Sequence, residues 1–301
     1  MWYYRNMKKR LIAFYLRVYF GVRNSWLVWY YLLNKRARAA YSAKTPKLSS
    51  TQERIIAELK RDGIAFSNLS ELFPGENVLD ALQQWEHSHQ TDAASTTKKE
   101  FLKTYWDSST HPYTLDNPFF TLAIRDEVLG IVNTYDEMNR SLNYVHLART
   151  TPAGDAAPVF TQRWHRDPEE SRMMKFFVYL TDVDEDAGPF TFLKESNFGD
   201  RKYGSLFPQK LPLGVYPDEK ELNAKVDATD VVPALGVAGT VIFCDTAGLH
   251  RGGYSKSKER VMFTAFYPSE WWAEKRRYTV PKEVDEKITN ASARFALGIG
   301  Q

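Results

Sequence analysis

Cysteine is nearly absent: Cys244 is the only one in 301 residues. That excludes an intramolecular disulfide framework and an all-thiolate zinc site, and it makes a reducing compartment the natural setting. Metal chemistry, if any, must rely on His and carboxylates. Acidic charge is missing from the first 52 residues, where 11 Lys and Arg stand unopposed before Glu53. The whole chain carries +3, so the remainder carries −8. A long apolar run is missing as well. Leu11 to Leu33 is interrupted by Arg17, Arg23 and Asn24, whereas a spanning helix needs about 20 nearly uninterrupted apolar residues. Arg17 and the lack of a clean small-residue cleavage site also argue against a secretory signal, so the segment is expected to be retained. No internal repeat or low-complexity tract occurs, and 43% hydrophobic with 26% charged residues excludes collagen-like and disordered classes.

What the first segment does contain is aromatic: Trp2, Tyr3, Tyr4, Phe14, Tyr15, Tyr19, Phe20, Trp26, Trp29, Tyr30, Tyr31 and Tyr41. Trp and Tyr beside Lys and Arg are the residues of a membrane interface. Residues 1–48 therefore read as a basic, aromatic, helical segment on an anionic membrane surface: two helices broken near Gly21 to Ser25, with Ser25 capping a second helix from Trp26 to about Tyr41. The other reading is that these aromatics pack on the body or on a partner chain. Nucleic acid is disfavoured because no recognition module follows. The expected location is the cytoplasm, peripheral on the inner face of the cytoplasmic membrane.

Residues 49–301 form the second unit. Helices are predicted at Gln52–Asp62, Asn77–His87 and Asn117–Val132, a short strand at Gly63–Phe66 and a loop at Thr91–Lys99. From Leu142 onward short β-rich runs follow: Leu142–Arg149, Val159–Trp164, Lys175–Thr181, Pro189–Leu193, Thr240–Cys244 and Val261–Tyr267. This predicts a helical N-terminal half and a mainly β jelly roll, sandwich or barrel behind it. The stretch after Trp272 reads equally as a lid, a helix on the barrel wall or a tail.

His165 and Asp167 stand at i and i+2, so on a strand both face one side and Arg166 faces the other. With His250 as a distant third ligand, this two-His, one-carboxylate set suits non-haem Fe(II) and leaves three positions open for a bidentate co-substrate and O2. Zinc would accept the same ligands but does not activate dioxygen. Arg260, ten residues after His250, fits as a fork for the distal carboxylate of a dicarboxylate such as 2-oxoglutarate.

His165-Arg166-Asp167, Gly188-Pro189-Phe190, Gly239-Thr240-Val241-Ile242-Phe243, His250 and Arg260 together resemble the phytanoyl-CoA dioxygenase superfamily of Fe(II)/2-oxoglutarate oxygenases, from about Leu142 to Tyr267. The resemblance implies a double-stranded β-helix (cupin-like) core, iron on His165, Asp167 and His250, and the co-substrate carboxylate on Arg260. The chain departs from the family pattern in two places: Arg260 lies one residue closer to its His than usual, and Ser255 stands where an Asn is common. Because Asp167 is intact, hydroxylation rather than halogenation is implied, with succinate and CO2 as co-products.

Arg163, Arg166, Arg172, Lys175 and Arg251 cluster in sequence around the ligand segments and favour an anionic small-molecule or glycolipid substrate; Arg163 and Arg251 are the candidate contacts. Asp186, Glu169 and Glu170 balance part of this charge. His146 is a candidate for touching co-substrate or substrate, or a satisfied core histidine. Joined to the basic aromatic segment, the site suggests a membrane-presented substrate, and some oxygenases resembling this family hydroxylate the sugar acid Kdo of bacterial lipopolysaccharide. The alternatives are a soluble hydroxylase of an acyl-CoA, amino acid or secondary metabolite, and a non-catalytic membrane-tethered binding module.

Overall fold

The computed structural model describes residues 2–89, 94–96, 99–108, 112–168, 170–197, 199–208, 215–271 and 278–300. In chain order these form α1 (Trp2–Arg23), a π-helical segment (Leu27–Leu33), α2 (Lys35–Ala43), α3 (Ser50–Asp62), β1 (Ile64–Asn68), α4 (Leu69–Leu72), α5 (Val78–Ser88), β2 (Ala94–Thr96), β3 (Lys99–Asp107), α6 (Pro118–Ala123) and α7 (Asp126–Tyr135). There follow β4 (Tyr144–Thr150), β5 (Met174–Tyr179), β6 (Thr191–Leu193), α8 (Glu219–Asn223), β7 (Val231–Pro233), β8 (Thr240–Asp245), β9 (His250–Arg251), β10 (Arg260–Tyr267), α9 (Lys282–Asp285) and α10 (Ala291–Leu297).

Two antiparallel sheets make the core, one of seven strands in the order β1-β8-β5-β10-β4-β3-β2 and one of three in the order β7-β6-β9. The larger sheet is buried on both faces, and its alternation says how. Val241, Phe243, Phe176, Val178, Val261, Phe263 and Ala265 join a cluster with residues of α3, α6, α7 and α10. Their strand neighbours Ile242, Cys244, Phe177 and Tyr179 join a second cluster with Phe192 of the smaller sheet and Phe190 just before it. Residues one apart thus serve two different cores. Cys244 is one of the inward set, fully buried.

The helices start and stop where local chemistry dictates. Ser49 and Gln52 form a reciprocal capping box at the start of α3, and Gly63, at φ 82°, ends it. The single helix expected over Asn117–Val132 is instead two. Asn117 caps α6 through the amides of Phe119 and Phe120, and Arg125 leaves helical geometry with its guanidinium held by Glu76 and Glu127. The loop expected at Thr91–Lys99 holds β2 in its described part, paired with β3 at the sheet edge. An edge strand tolerates polar residues, so the composition concealed it.

Val159–Trp164, expected as a strand, is a 3-10 turn at Phe160–Gln162. The Gln162 side chain accepts from the Val159 amide at 3.0 Å and Phe160 O accepts from the Arg163 amide at 3.1 Å, which curls the chain before it can extend. Ser25 does not cap the second N-terminal helix; its hydroxyl donates back to Val22 O at 2.7 Å.

The N-terminal segment divides into two parts. Leu11, Ile12, Phe14, Tyr15, Val18, Tyr19 and Val22 of α1 are exposed. From Arg23 onward the segment docks: Arg23 pairs with Glu170 at 3.4 Å, Ser171 Oγ donates to Asn24 O at 2.5 Å, and Trp29 and Ala37 are fully buried with Met138 and Phe295 of the body. Among the described residues, no helix is long and apolar enough to cross a membrane. At the other end α10 lies on the wall, with Leu142 N donating to Ala296 O at 2.9 Å.

Candidate active site

Two strand ends meet at the mouth between the sheets. His165 and His250 exchange both backbone hydrogen bonds, each 2.9 Å, as an isolated antiparallel bridge. Directly paired residues project side by side, and the two imidazole centroids are 4.3 Å apart. Asp167 returns to the same face two residues on, its amide tied to Thr246 O at 3.0 Å. Each imidazole is oriented by a backbone carbonyl two residues before it: His165 Nδ1 lies 2.8 Å from Arg163 O and His250 Nδ1 2.9 Å from Gly248 O. That contact places the proton on Nδ1 and leaves the Nε2 lone pair to act as the ligand. Both Nε2 atoms face Asp167 Oδ1, at 3.8 and 3.9 Å. One ligand atom from each of the three residues lies within 4.8 Å of the others.

Electrostatics suit a cation here. Burial, aided by the neighbouring His165, pushes His250 down to about 3, so its imidazole is neutral. Burial pushes the Asp167 carboxyl up, but Lys175, 2.6 Å from Oδ2, and the two imidazoles outweigh it and hold the group below the usual carboxylate range. Arg166 points away from this face, as strand geometry predicts. It is buried, and its guanidinium donates to the carbonyls of Ser196, Ala247, Tyr203, Gly204 and Leu206. Beneath the turn that leads to His250, the buried Asp245 accepts from Met173 N, Ala247 N and Tyr135 Oη.

Arg260 opens β10 and lines a cavity of about 120 Å³ with His146, Thr150, Gln162, Met262 and Thr264. It is buried, donates to Gly188 O and to Thr150 Oγ1 at 3.3 Å, and among the described residues its Nε has no partner. Gln162 Nε2 is another buried donor without one. A buried guanidinium with an unspent donor, in a cavity also lined by Gly252 and Gly253 just after His250, fits a dicarboxylate, and the three convergent N and O donor atoms fit a divalent cation. Close backbone crossing holds this corner: a Cβ on Gly253 would stand 1.6 Å from Gly188 O. Ser255 takes no part in the triad; it is buried and its hydroxyl donates to Lys258 O. His146 lines the Arg260 cavity, with Nε2 3.0 Å from Thr104 Oγ1.

Arg163 and Arg251 come together, though not by strand alternation. They line a cleft of about 170 Å³ with Trp164, Pro217, Asp218 and Glu219. Arg251 pairs with Glu219 at 2.7 Å and lies over Trp164, while Arg163 lies over Tyr216, whose ring is 5.9 Å from that of His165. Arg172 and Lys175, grouped with them in sequence, turn to Asp136 and Asp167 instead. Lys175 was grouped in the sequence with the cations around the site rather than with Asp167, Gly188 entered only through the Gly188-Pro189-Phe190 motif, and Gln162 was not singled out. The alternation Lys175, Phe177, Tyr179 along β5 was the available signal for the first.

A double-stranded β-helix with a His-X-Asp and a distal His at its mouth, and an Arg in the barrel, defines the class of 2-oxoglutarate-dependent non-haem iron oxygenases. Residues 71–262, which include all four positions, match the phytanoyl-CoA dioxygenase (PhyH) family, and the chain belongs to that family. It is an enzyme, a dioxygenase using iron, 2-oxoglutarate and O2. Among solved structures it is similar to EctD from S. alaskensis with bound Fe (16% identity, 85% of this chain and 86% of that one, TM-score 0.54). It is also similar to the epimerase SnoN in complex with Fe3+, alpha ketoglutarate and nogalamycin RO (16% identity, 76% and 87%, TM-score 0.51). A third is HygX from Streptomyces hygroscopicus with nickel and 2-oxoglutarate (13% identity, 75% and 89%, TM-score 0.50). At such identities the likeness establishes the fold. No curated protein matches the chain.

Proposed function

We propose that His165, Asp167 and His250 hold the iron, that Arg260 holds the distal carboxylate of 2-oxoglutarate, and that the enzyme hydroxylates an unactivated C–H bond of an anionic substrate presented at a membrane. The observation that carries the reading is a pair of features: three donor atoms within 4.8 Å of one another, and a cavity lined by a buried, incompletely bonded Arg260 and by Gly252, two residues after His250. Bound iron and 2-oxoglutarate supply the oxidant for hydroxylation, the co-substrate leaving as succinate and CO2. The chain's own work is placement. Nδ1 contacts to Arg163 O and Gly248 O orient the imidazoles, burial keeps His250 neutral, and the Arg260 fork orients the dicarboxylate.

Arg163 and Arg251 at the adjoining cleft support an anionic substrate, as a lipid-linked sugar acid such as Kdo would be. The exposed apolar residues of α1, in a segment with cations and no acids, support peripheral attachment to an anionic membrane on the cytoplasmic side. A second reading, a soluble hydroxylase of a small metabolite, is favoured by the docking of residues 23–43, which gives that part of the segment a structural task without any lipid.

An anaerobic titration with Fe(II) and 2-oxoglutarate tests the cofactor assignment. The charge-transfer band is expected in wild type, absent in His250→Ala and weakened in Arg260→Ala; a band that persists without His250 sinks the ligand assignment. Sedimentation with anionic vesicles tests the membrane reading. Removal of residues 1–21, which leaves the docked part in place, is expected to abolish binding; unchanged binding takes the role from α1, and a wild type that does not sediment with the vesicles decides for the soluble hydroxylase.

A further inference from the structure

Asp167 has its two oxygens committed to different partners. Oδ1 faces His165 Nε2 and His250 Nε2 at 3.8 and 3.9 Å, whereas Oδ2 receives the Lys175 ammonium at 2.6 Å. Lys175 comes from β5, opposite Cys244 of β8, on the strand face that also presents Phe177 and Tyr179 to the barrel interior. Its side chain is 16% exposed, and the ammonium sits 5.5 Å from the Phe266 ring. Nothing in metal binding by His-X-Asp…His calls for a cation at this point. Taken by itself, a positive charge beside a ligand carboxylate weakens the attraction of that carboxylate for a metal ion, so its presence calls for a different account.

Resting on the reading of His165, Asp167 and His250 as the metal ligands, we propose that Lys175 is a positioning residue that holds Asp167 to coordination through one oxygen. Its purpose follows from counting positions. A six-coordinate ion with two imidazole nitrogens and one carboxylate oxygen keeps three positions, enough for a bidentate keto acid and dioxygen. A carboxylate that chelates with both oxygens leaves two, and the keto acid then competes with the enzyme's own side chain. An ammonium on Oδ2 prevents that swing, because chelation would require breaking a largely buried, charge-assisted hydrogen bond. Charge also favours the arrangement: Lys175 adds one positive charge to a loaded site that receives a dianionic co-substrate.

The test is a pair of measurements on Lys175→Met and Lys175→Arg beside wild type. Crystal structures loaded with Mn(II) give the number of Asp167 oxygens on the metal, and anaerobic titration of the Fe(II) proteins gives the affinity for 2-oxoglutarate. Wild type and K175R are expected to show one oxygen, with the other on the cation. K175M is expected to show two, to retain Mn(II), and to bind 2-oxoglutarate at least about 10-fold more weakly, the lower end of what loss of a partner behind a metal ligand costs. Lys175→Gln serves as the second neutral variant where K175M does not accumulate folded. One-oxygen coordination in the neutral variant, or a 2-oxoglutarate affinity within about threefold of wild type, overturns the proposal. Wild-type crystals with no Mn(II) on His165, Asp167 and His250 overturn the metal-site reading beneath it, a failure visible before any variant is compared.

Discussion

Replacing Arg260 by Met separates a ligand anchor from a structural arginine. In the free protein the guanidinium is buried, burial pulls its pKa down, and its bonds to Gly188 O and Thr150 Oγ1 leave Nε without a partner among the described residues. Met removes a buried charge of similar reach. Against that gain, the Gly188 carbonyl loses its donor, at a cost of about 1–3 kcal/mol. The two effects oppose, so the unfolding free energy of apo R260M is expected to stay within about 2 kcal/mol of wild type. With 2-oxoglutarate the balance differs. Its distal carboxylate would enter the cavity with no counter-charge, and breaking a buried pair from one side costs about 3–5 kcal/mol, on the order of 100- to 1000-fold in affinity. Urea unfolding of the apo proteins and anaerobic charge-transfer titration of the Fe(II) proteins measure the two quantities. A change in 2-oxoglutarate affinity below about tenfold refutes the anchor role. A loss of more than about 3 kcal/mol in the apo protein shows that the carbonyl and hydroxyl contacts are the reason for Arg260.

Asp245 is fully buried and, mainly through burial and then the charge of Asp136, is pushed up to about 6. A carboxyl raised from 3.8 binds its proton more tightly when folded, so its contribution is fully present below pH 4 and is lost as pH rises to about 6, by about 3 kcal/mol. Asp245→Asn is therefore expected to gain on wild type in urea unfolding between pH 4 and pH 8, and a flat difference contradicts this. Trp29→Ala empties a fully buried site against Ala37, Met138 and Phe295; a loss of about 3–5 kcal/mol is expected in thermal or urea unfolding, and less than about 1 kcal/mol would show that the segment does not dock. Gly253→Ala drives a methyl into the Gly188 carbonyl that Arg260 uses; 2-oxoglutarate titration is expected to show weaker binding with the Fe(II) affinity kept, and unchanged binding would mean that the loop crossing yields without moving Arg260.

Legibility in the sequence followed the range of the interactions. Strands β4, β5, β8 and β10 were visible because Val, Ile, Phe and Tyr runs match a sheet buried on both faces, and α3 because its apolar residues recur at helical spacing, though its start at the Ser49 cap was not read. The turn at Phe160–Gln162 was not, since an apolar run reads as strand until one knows that Gln162 hooks back to Val159. Arg163 and Arg251 were found as neighbours of the ligands in sequence. That they share one cleft, each laid over an aromatic ring, depends on residues 217–219 arriving from elsewhere.

By itself the sequence determined the chemistry available: one cysteine, a His-X-Asp, a distal His and an Arg ten residues on, which restrict metal binding to nitrogen and oxygen donors and bring a fork for a carboxylate. These are properties of residue type and short spacing, and they survive any packing. Tertiary structure decided which atoms meet. It split the N-terminal segment into a part of α1 with exposed apolar residues from Leu11 to Val22 and a docked part, because among the described residues it is Arg23 and those after it that find partners on the body. It also set Lys175 against one oxygen of Asp167, because β5 and the strand end at the mouth are brought face to face by a sheet whose order, β1-β8-β5-β10-β4-β3-β2, is not the order of the chain.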